Sequence, residues 1–564
     1  MLYLILQAIF LYGLSFAFWR VVRQYIVKTS LDNIPGPPSP SFFQGNFRQL
    51  FTIYGWDFHK DIAAKYGGVV KVKALFGENQ LYVFDPKALH HIVIKDQYIY
   101  EETSAFIQGN LLLFGKALMS TLGDYHRRQR KMFNPVFSVA NIREMVPVFY
   151  SVTHRLRDSI AKKVSNGPQE IDMVSWMGRT TLELIGQSGF GYSFDTLAEN
   201  VTPNPYSAAM KSLGSAAMKM VFVQEYLYYV TKIGSPQFRR FIIDVLPWKA
   251  IHDARDIVDT MHKTSLEIFE SKKKALLDGN DVVARQIGQG KDIMSMLMRA
   301  NMDASEEDKL DEDELIAQIT ALTFAAVDTT SSALSRSLHL LAQHPEIQEK
   351  LRREITEARA ENGDLPYDEL ISLPFLEAIV RETLRLYPPV SFLTRTCARV
   401  LTLFFHCRQV FLTVSLYRTR QDIILPLSKP LRGLNGKEIY EILVPNNTNL
   451  FISIIEANRN PDIWGPDALE WIPERWLSPL PSSVSDAHVP GIYSHLMTFL
   501  GGGRACIGFK VSQIEIKVVL SLLIESFRFA PSKKEIFWQM TTVATPTVVG
   551  EGIKIQLPLH VSRV

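Results

Sequence analysis

The residues with the strongest chemical potential lie near the C-terminus, in the run Phe499-Leu500-Gly501-Gly502-Gly503-Arg504-Ala505-Cys506-Ile507-Gly508. Three consecutive glycines let the backbone turn tightly and approach a ligand closely, and a cationic arginine precedes the thiol by two residues. A helical pattern follows from Phe509 to Ile524, so the thiol stands ahead of a helix N-terminus, where the dipole favours an anion. Such neighbours hold a cysteine as thiolate. No other cysteine or histidine stands close enough in the chain to complete a four-ligand zinc site or an iron–sulfur cluster. One axial bond to heme iron remains. The bland alternative is a free cysteine buried in a glycine-rich turn.

A second chemical run is Ala325-Ala326-Val327-Asp328-Thr329-Thr330-Ser331-Ser332. It falls in the middle of a long helix whose stretch Ile319 to Val327 is apolar on nearly every side, the pattern of a helix surrounded by core. Burying acids and alcohols there costs a few kcal/mol unless they are hydrogen-bonded. Either the hydroxyls bond back to the preceding turn and bend the helix, or the small residues at 325 and 326 let a flat ligand lie against it, with proton donors alongside. The positioning element is legible from its ends. Asp311 caps it, Glu314 answers three residues later as in a capping box, and Pro345 stops it after His344. At 1.5 Å per residue it spans on the order of 50 Å.

Taken together, Phe499, Gly502, Arg504, Cys506 and Gly508 resemble the heme-binding signature of the cytochrome P450 family, and further matches run along almost the whole chain. Glu382-Thr383-Leu384-Arg385 resembles the family's Glu-x-x-Arg, and Pro473-Glu474-Arg475-Trp476 its following segment. Glu382, Arg385 and Arg475 are then expected to form a buried, structural ion network. Gly123 to Lys131 resembles the helix whose Trp-x-x-x-Arg pair contacts a heme propionate; here His126 stands for Trp, and Arg130 is the arginine. Arg395 stands where the family has another propionate-binding arginine. The helical run resembles the oxygen-activating segment, with Ala326 for the usual glycine and Asp328 and Thr329 as the proton-delivery pair.

The resemblance implies a mainly α protein with small β-sheets (α+β) and one large catalytic domain at 41–564. It implies heme b with Cys506 as axial metal ligand, and a monooxygenase that inserts one atom of O2 into an apolar substrate. It implies, too, electrons from NADPH through a separate NADPH-cytochrome P450 reductase, since no flavin or nicotinamide site is visible in the sequence. The look of the chain is similar to fungal family members of secondary metabolism acting on terpenoids, sterols and the like. Candidate substrate walls by family position are Phe106 to Phe114, Phe324 to Ala326, Val390 to Leu393 and Thr545 to Val548. A heme-thiolate isomerase or dehydratase, needing no external electrons, and an inactive membrane-anchored relative are the competing readings; the intact Asp328-Thr329 pair favours the monooxygenase.

The remaining features set the context. With 564 residues, 47% hydrophobic and 21% charged, the chain can bury a large core, and a net charge of +3 leaves no basic footprint for nucleic acid. Cys397, Cys407 and Cys506 form no disulfide framework. Leu2 to Trp19 is apolar except for Gln7 and Ser15, about the ~20 residues of one membrane span, and Arg20, Arg23 and Lys28 follow. The expectation is an anchor at 1–20 in lipid, single-pass in the endoplasmic reticulum membrane, with the catalytic domain facing the cytosol. A basic, proline-rich linker at 21–40 follows, stiffened by Pro35-Gly36-Pro37-Pro38. Val69 to Val72 and Leu81 to Phe84 read as strands, and 280 to 291 as a connector. Thr396 to Arg418 departs from the family: this insertion holds no acid, glycine or proline and is read as a retained intron or gene-model error.

Overall fold

The computed structural model describes residues 26–199, 204–219, 227–279, 290–361, 363–397 and 422–564, with isolated residues before 26. The chain is mainly helical with small sheets and forms two compact units, each assembled from separate stretches. The first comprises Met1–Thr103, Phe392–Gly465 and Ser482–Arg504; the second comprises Ser104–Ser391, Pro466–Pro481 and Ala505–Val564.

In the first unit the expected strands form. Val69–Lys73 pairs antiparallel with Asn79–Val83, which runs parallel to Asn449–Ser453. Phe392–Cys397 and the short edge Tyr100–Glu101 complete the five-stranded sheet. Its core is aromatic. His59 stacks on Phe392 with centroids 5.3 Å apart, and Phe392 meets Phe51 and Phe451 edge-on. His59 is buried between the Tyr82 hydroxyl at 2.8 Å and the Leu50 carbonyl at 3.1 Å. Burial lowers its pKa to about 4, so it is neutral. The proline-rich run lies irregular along this sheet: Lys71 N donates to Pro35 O at 2.9 Å, and a Cβ on Gly36 would meet Lys71 O at 1.8 Å.

In the second unit the long helix runs Glu312–Gln343, 32 residues, with Asp311 and His344 as its caps. Most of its length is buried, as its all-round apolar middle requires. The capping box forms only in half: Asp311 makes no side-chain cap bond, whereas the buried Glu314 carboxylate accepts from the Asp311 backbone and also meets Arg128 at 3.3 Å. The Met173–Phe190 helix packs closely alongside, with Gly178 facing Ser331, and its Thr181 hydroxyl donates to Val327 O at 3.1 Å.

The expected Glu382, Arg385 and Arg475 come together here. Arg385 grips Glu382 through two bonds of 2.8 Å, and both side chains are fully buried. Arg475 lies 3.5 Å from the same carboxylate, which also accepts from Ile472 N at 3.1 Å and Trp476 Nε1 at 2.9 Å. Arg385 donates onward to the carbonyls of Ala468 and Glu470.

Two expectations about the chain's ends and interruptions need restating. The anchor at 1–20, with the single-pass endoplasmic reticulum placement and lipid contact drawn from it, is corrected: among the described residues no helix is long and apolar enough to cross a membrane. A span needs ~20 consecutive apolar residues, whereas a long described helix such as Phe509–Ser526 carries Lys510, Glu515 and Lys517 within its apolar run. Most of the residues in 1–25, where the anchor was expected, lie outside the described residues, as do 280–289 and 398–421, which hold the connector and most of the insertion. Of the insertion only Thr396 and Cys397 are described, closing the strand Phe392–Cys397.

Removing one partner of a buried pair strands the other. Arg385→Ala is expected to destabilise the fold by roughly 3–5 kcal/mol, against under about 1 kcal/mol for Lys350→Ala, whose pair with Glu474 is solvent-exposed. Guanidinium chloride unfolding of the two variants measures the contrast.

Candidate active site

Each unit holds its own share of the residues singled out in the sequence. In the first, the glycine run is threaded through close contacts. A Cβ on Gly501 would meet Pro490 O at 1.8 Å, and one on Gly502, at φ +65, would meet Val93 O at 1.8 Å. Gly503 N donates to Gln97 Oε1 at 2.7 Å. The glycines are thus required by packing against Pro490 and residues 93 to 97. Phe499 meets Tyr493 edge-on at 5.6 Å. Arg395 and Arg504 both reach one carboxylate, Glu102, at 3.2 and 3.1 Å.

In the second unit Cys506 is exposed, yet protein crowds it: burial raises the pKa of its thiol, opposed by the Gly508 amide and by the charge of Arg130. The expected thiolate is therefore not a property of the free side chain. Anion stability at this position needs a bonded cation, as coordination to iron would supply. Arg130 and His126 lie on one helix, Gly123–Phe133, with His126 buried. Beyond Gly508 there is open space where a Cβ would point.

The long helix supplies the other surface. Within its otherwise buried length Ala325 is exposed, and Phe324, Ala326, Asp328 and Thr329 are only half-buried. A helix enclosed by core has no reason to leave one strip bare, and small residues beside that strip leave room for a flat group. Thr329 Oγ1 donates to Ala325 O at 2.7 Å, the local bond expected of a helical threonine. Asp328 is pushed up to about 6 by burial, with Lys211 pulling the other way. Ser332 Oγ donates to Ala544 O at 2.6 Å, and Phe114 packs on Phe324 with centroids 5.0 Å apart.

Of the candidate walls, Phe114 and Phe324 adjoin the bare strip. Phe392 instead belongs to the aromatic cluster around His59, and Thr547 and Val548 are buried in the hairpin Ile536–Gln539 with Thr545–Val548. Sequence reasoning missed Glu102, Gln97 and Thr181. No spacing connects Glu102 with Arg395 or Arg504, so only the fold reveals the contact.

Comparison with known proteins gives the class. The family model described as Cytochrome P450 matches residues 35–403 and 425–549, and so leaves 404–424, which overlaps the atypical stretch, unmatched. Cytochrome P450 monooxygenase 91 of Postia placenta is 47% identical over 560 residues, covering 99% of each chain. Ganoderic acid synthetase CYP5150L8 of Ganoderma lucidum is 41% identical over 557 residues, covering 97% of each. The chain therefore belongs to the cytochrome P450 family, and is a cytochrome P450 monooxygenase. The family implies a heme-thiolate cofactor. An accessible thiol, the open space beyond Gly508 and the bare helix strip fit such a group.

Because Asp328 titrates at about 6 in the fold against an ordinary 3.8, the folded state holds the extra proton between those values. Stability therefore falls as pH rises through that window. Asp328→Asn removes the cost of a buried charge and is expected to stabilise the fold by about 1–3 kcal/mol above pH 6, with the gain gone at pH ~4. Chemical unfolding at the two pH values reads it.

Proposed function

We propose that this enzyme inserts one oxygen atom from O2 into an apolar organic substrate of secondary metabolism. In this reading electrons come from NADPH through a separate NADPH-cytochrome P450 reductase. The observation that carries the reading is the bare strip at Ala325 on a buried helix, with an acid and an alcohol on its margin. Kinship to a protein named ganoderic acid synthetase supports the metabolic context.

In this reading residues 41–564 are one heme domain. Cys506 would hold heme b through its sulfur, Phe499, Gly502 and Gly508 would shape the loop around it, and His126, Arg130, Arg395 and Arg504 would take the propionates. When bound, the heme supplies the activation of O2 that C–H insertion requires. The chain's own residues manage protons. Asp328, raised to about 6, exchanges its proton near neutral pH, where a general acid works best. Thr329 keeps its proton on Ala325 O and must rotate it outward to donate, which the exposed strip permits. Phe114 packs on Phe324 beside that strip and gives it an apolar margin.

The reduced protein should give a carbon monoxide difference spectrum with the red-shifted Soret band of thiolate ligation. Cys506→Ser should abolish it; a variant that kept the band would sink the ligand assignment. With reductase, NADPH and substrate supplied, Asp328→Asn and Thr329→Ala are each expected to lower product formation by roughly 10²-fold, with more of the oxygen released as peroxide.

A further inference from the structure

Glu102 follows the edge strand Tyr100–Glu101 and is buried. Its two carboxylate oxygens are divided: Oε1 faces Arg395 at 3.2 Å and Oε2 faces Arg504 at 3.1 Å. Arg395 is 6% exposed, Glu102 7% and Arg504 19%, so all three charges are largely out of water. Arg395 also donates to Thr394 O at 2.8 Å, which fixes its fork on the strand. Burial and the neighbouring Arg395 push the pKa of Arg504 down, while Glu102 and the more exposed Glu101 pull it back up.

Two guanidiniums placed side by side repel, and in a low dielectric that repulsion is not screened. A shared carboxylate holds them together. Each guanidinium carries five N–H donors in a planar fork, more than one carboxylate oxygen can take up, so bridging by Glu102 is compatible with each arginine receiving a second carboxylate.

We propose that Glu102 is a positioning residue of the cofactor site: it clamps Arg395 and Arg504 into one anion-receiving pair and adds a fixed buried negative charge beside the propionate they receive. This rests on the heme reading above. The charge has a consequence that clamping alone does not. A buried anion beside a propionate opposes gain of an electron by the iron of the same heme, since the reduced state carries one positive charge fewer. Glu102 therefore holds the heme in its oxidised form more firmly than a neutral side chain would.

The test uses the full-length protein loaded with heme, its midpoint potential measured by spectroscopic titration and its heme loss by transfer to apomyoglobin. Glu102→Gln is expected to shift the reduction equilibrium toward the reduced iron by about tenfold, ~59 mV for one electron, and Glu102→Asp, which keeps the charge, to stay at the wild-type value. Glu102→Ala gives a second neutral variant, in which added formate should return the potential toward wild type. Neutral variants that lose heme faster but keep the wild-type potential overturn the inference, since a purely structural clamp predicts that pattern. A wild-type protein that takes up heme while all variants match it in both readouts also overturns it. A wild-type protein that takes up no heme overturns the heme reading itself.

Discussion

A carboxylate with no solvent exposure must find donors inside the protein, and Glu382 finds them by recruiting a second segment of chain. Arg385, one turn along the same helix, takes one edge of the carboxylate; Ile472 N, Trp476 and Arg475 come from the segment after Pro466. Arg385 then spends its remaining donors on the Ala468 and Glu470 carbonyls. The result is a cage in which most donors and acceptors are matched, so neither segment can move without exposing a buried charge. An irregular stretch such as Pro466–Pro481, with only a short 3-10 turn at Pro473–Leu477, could not hold its place by secondary structure. It is held by that cage.

The long helix obeys the opposite logic at its centre. Its flanks are largely enclosed, and several of its hydroxyls are satisfied locally or by neighbours: Thr323 on Ile319 O, Thr329 on Ala325 O, Ser332 on Ala544 O. Thr330 and Ser335 are buried with no hydrogen-bond partner among the described residues. Among the described residues Asp328 has no closed set of donors either, and burial raises its pKa. A carboxyl left in this condition is a poor structural element and a good proton carrier, because its two protonation states are close in energy near neutral pH. The contrast with Glu382 is one of partners, and it supports the proton-carrying role proposed for Asp328.

Much of this was legible in the sequence, for identifiable reasons. The helix Glu312–Gln343 announced itself through an apolar middle and a proline stop, and the strands Val69–Lys73 and Asn79–Val83 through the valine-rich run Val69 to Val72 and the apolar run Leu81 to Phe84. Glu382 and Arg385 share a helix face by their spacing alone, and the family resemblance supplied Arg475. What stayed hidden depended on contacts between distant segments. Glu314 has the spacing of a capping residue and does answer the Asp311 backbone, but its second partner, Arg128, comes from a distant helix that no spacing announces. Phe392 has the apolar character of a pocket wall, and the fold also packs this half-buried ring against His59, Phe51 and Phe451. The N-terminal apolar run met the length rule for a span, yet among the described residues no helix does so.

The two arginine sites show how the same side chain is used to close one network and to leave another receptive. Arg385 is spread over Glu382 and two backbone carbonyls, acceptors enough to engage its whole fork, and it sits at zero exposure. Arg395 and Arg504 share a single bridging carboxylate and keep some exposure, Arg504 at 19%. A bridge that gathers two guanidiniums around one acid serves best where a further anion is to be met, since it fixes their spacing in advance and so lowers the ordering cost of binding. That is the physical reason to look for the cofactor's carboxylate there, independent of the thiol that first drew attention to the site.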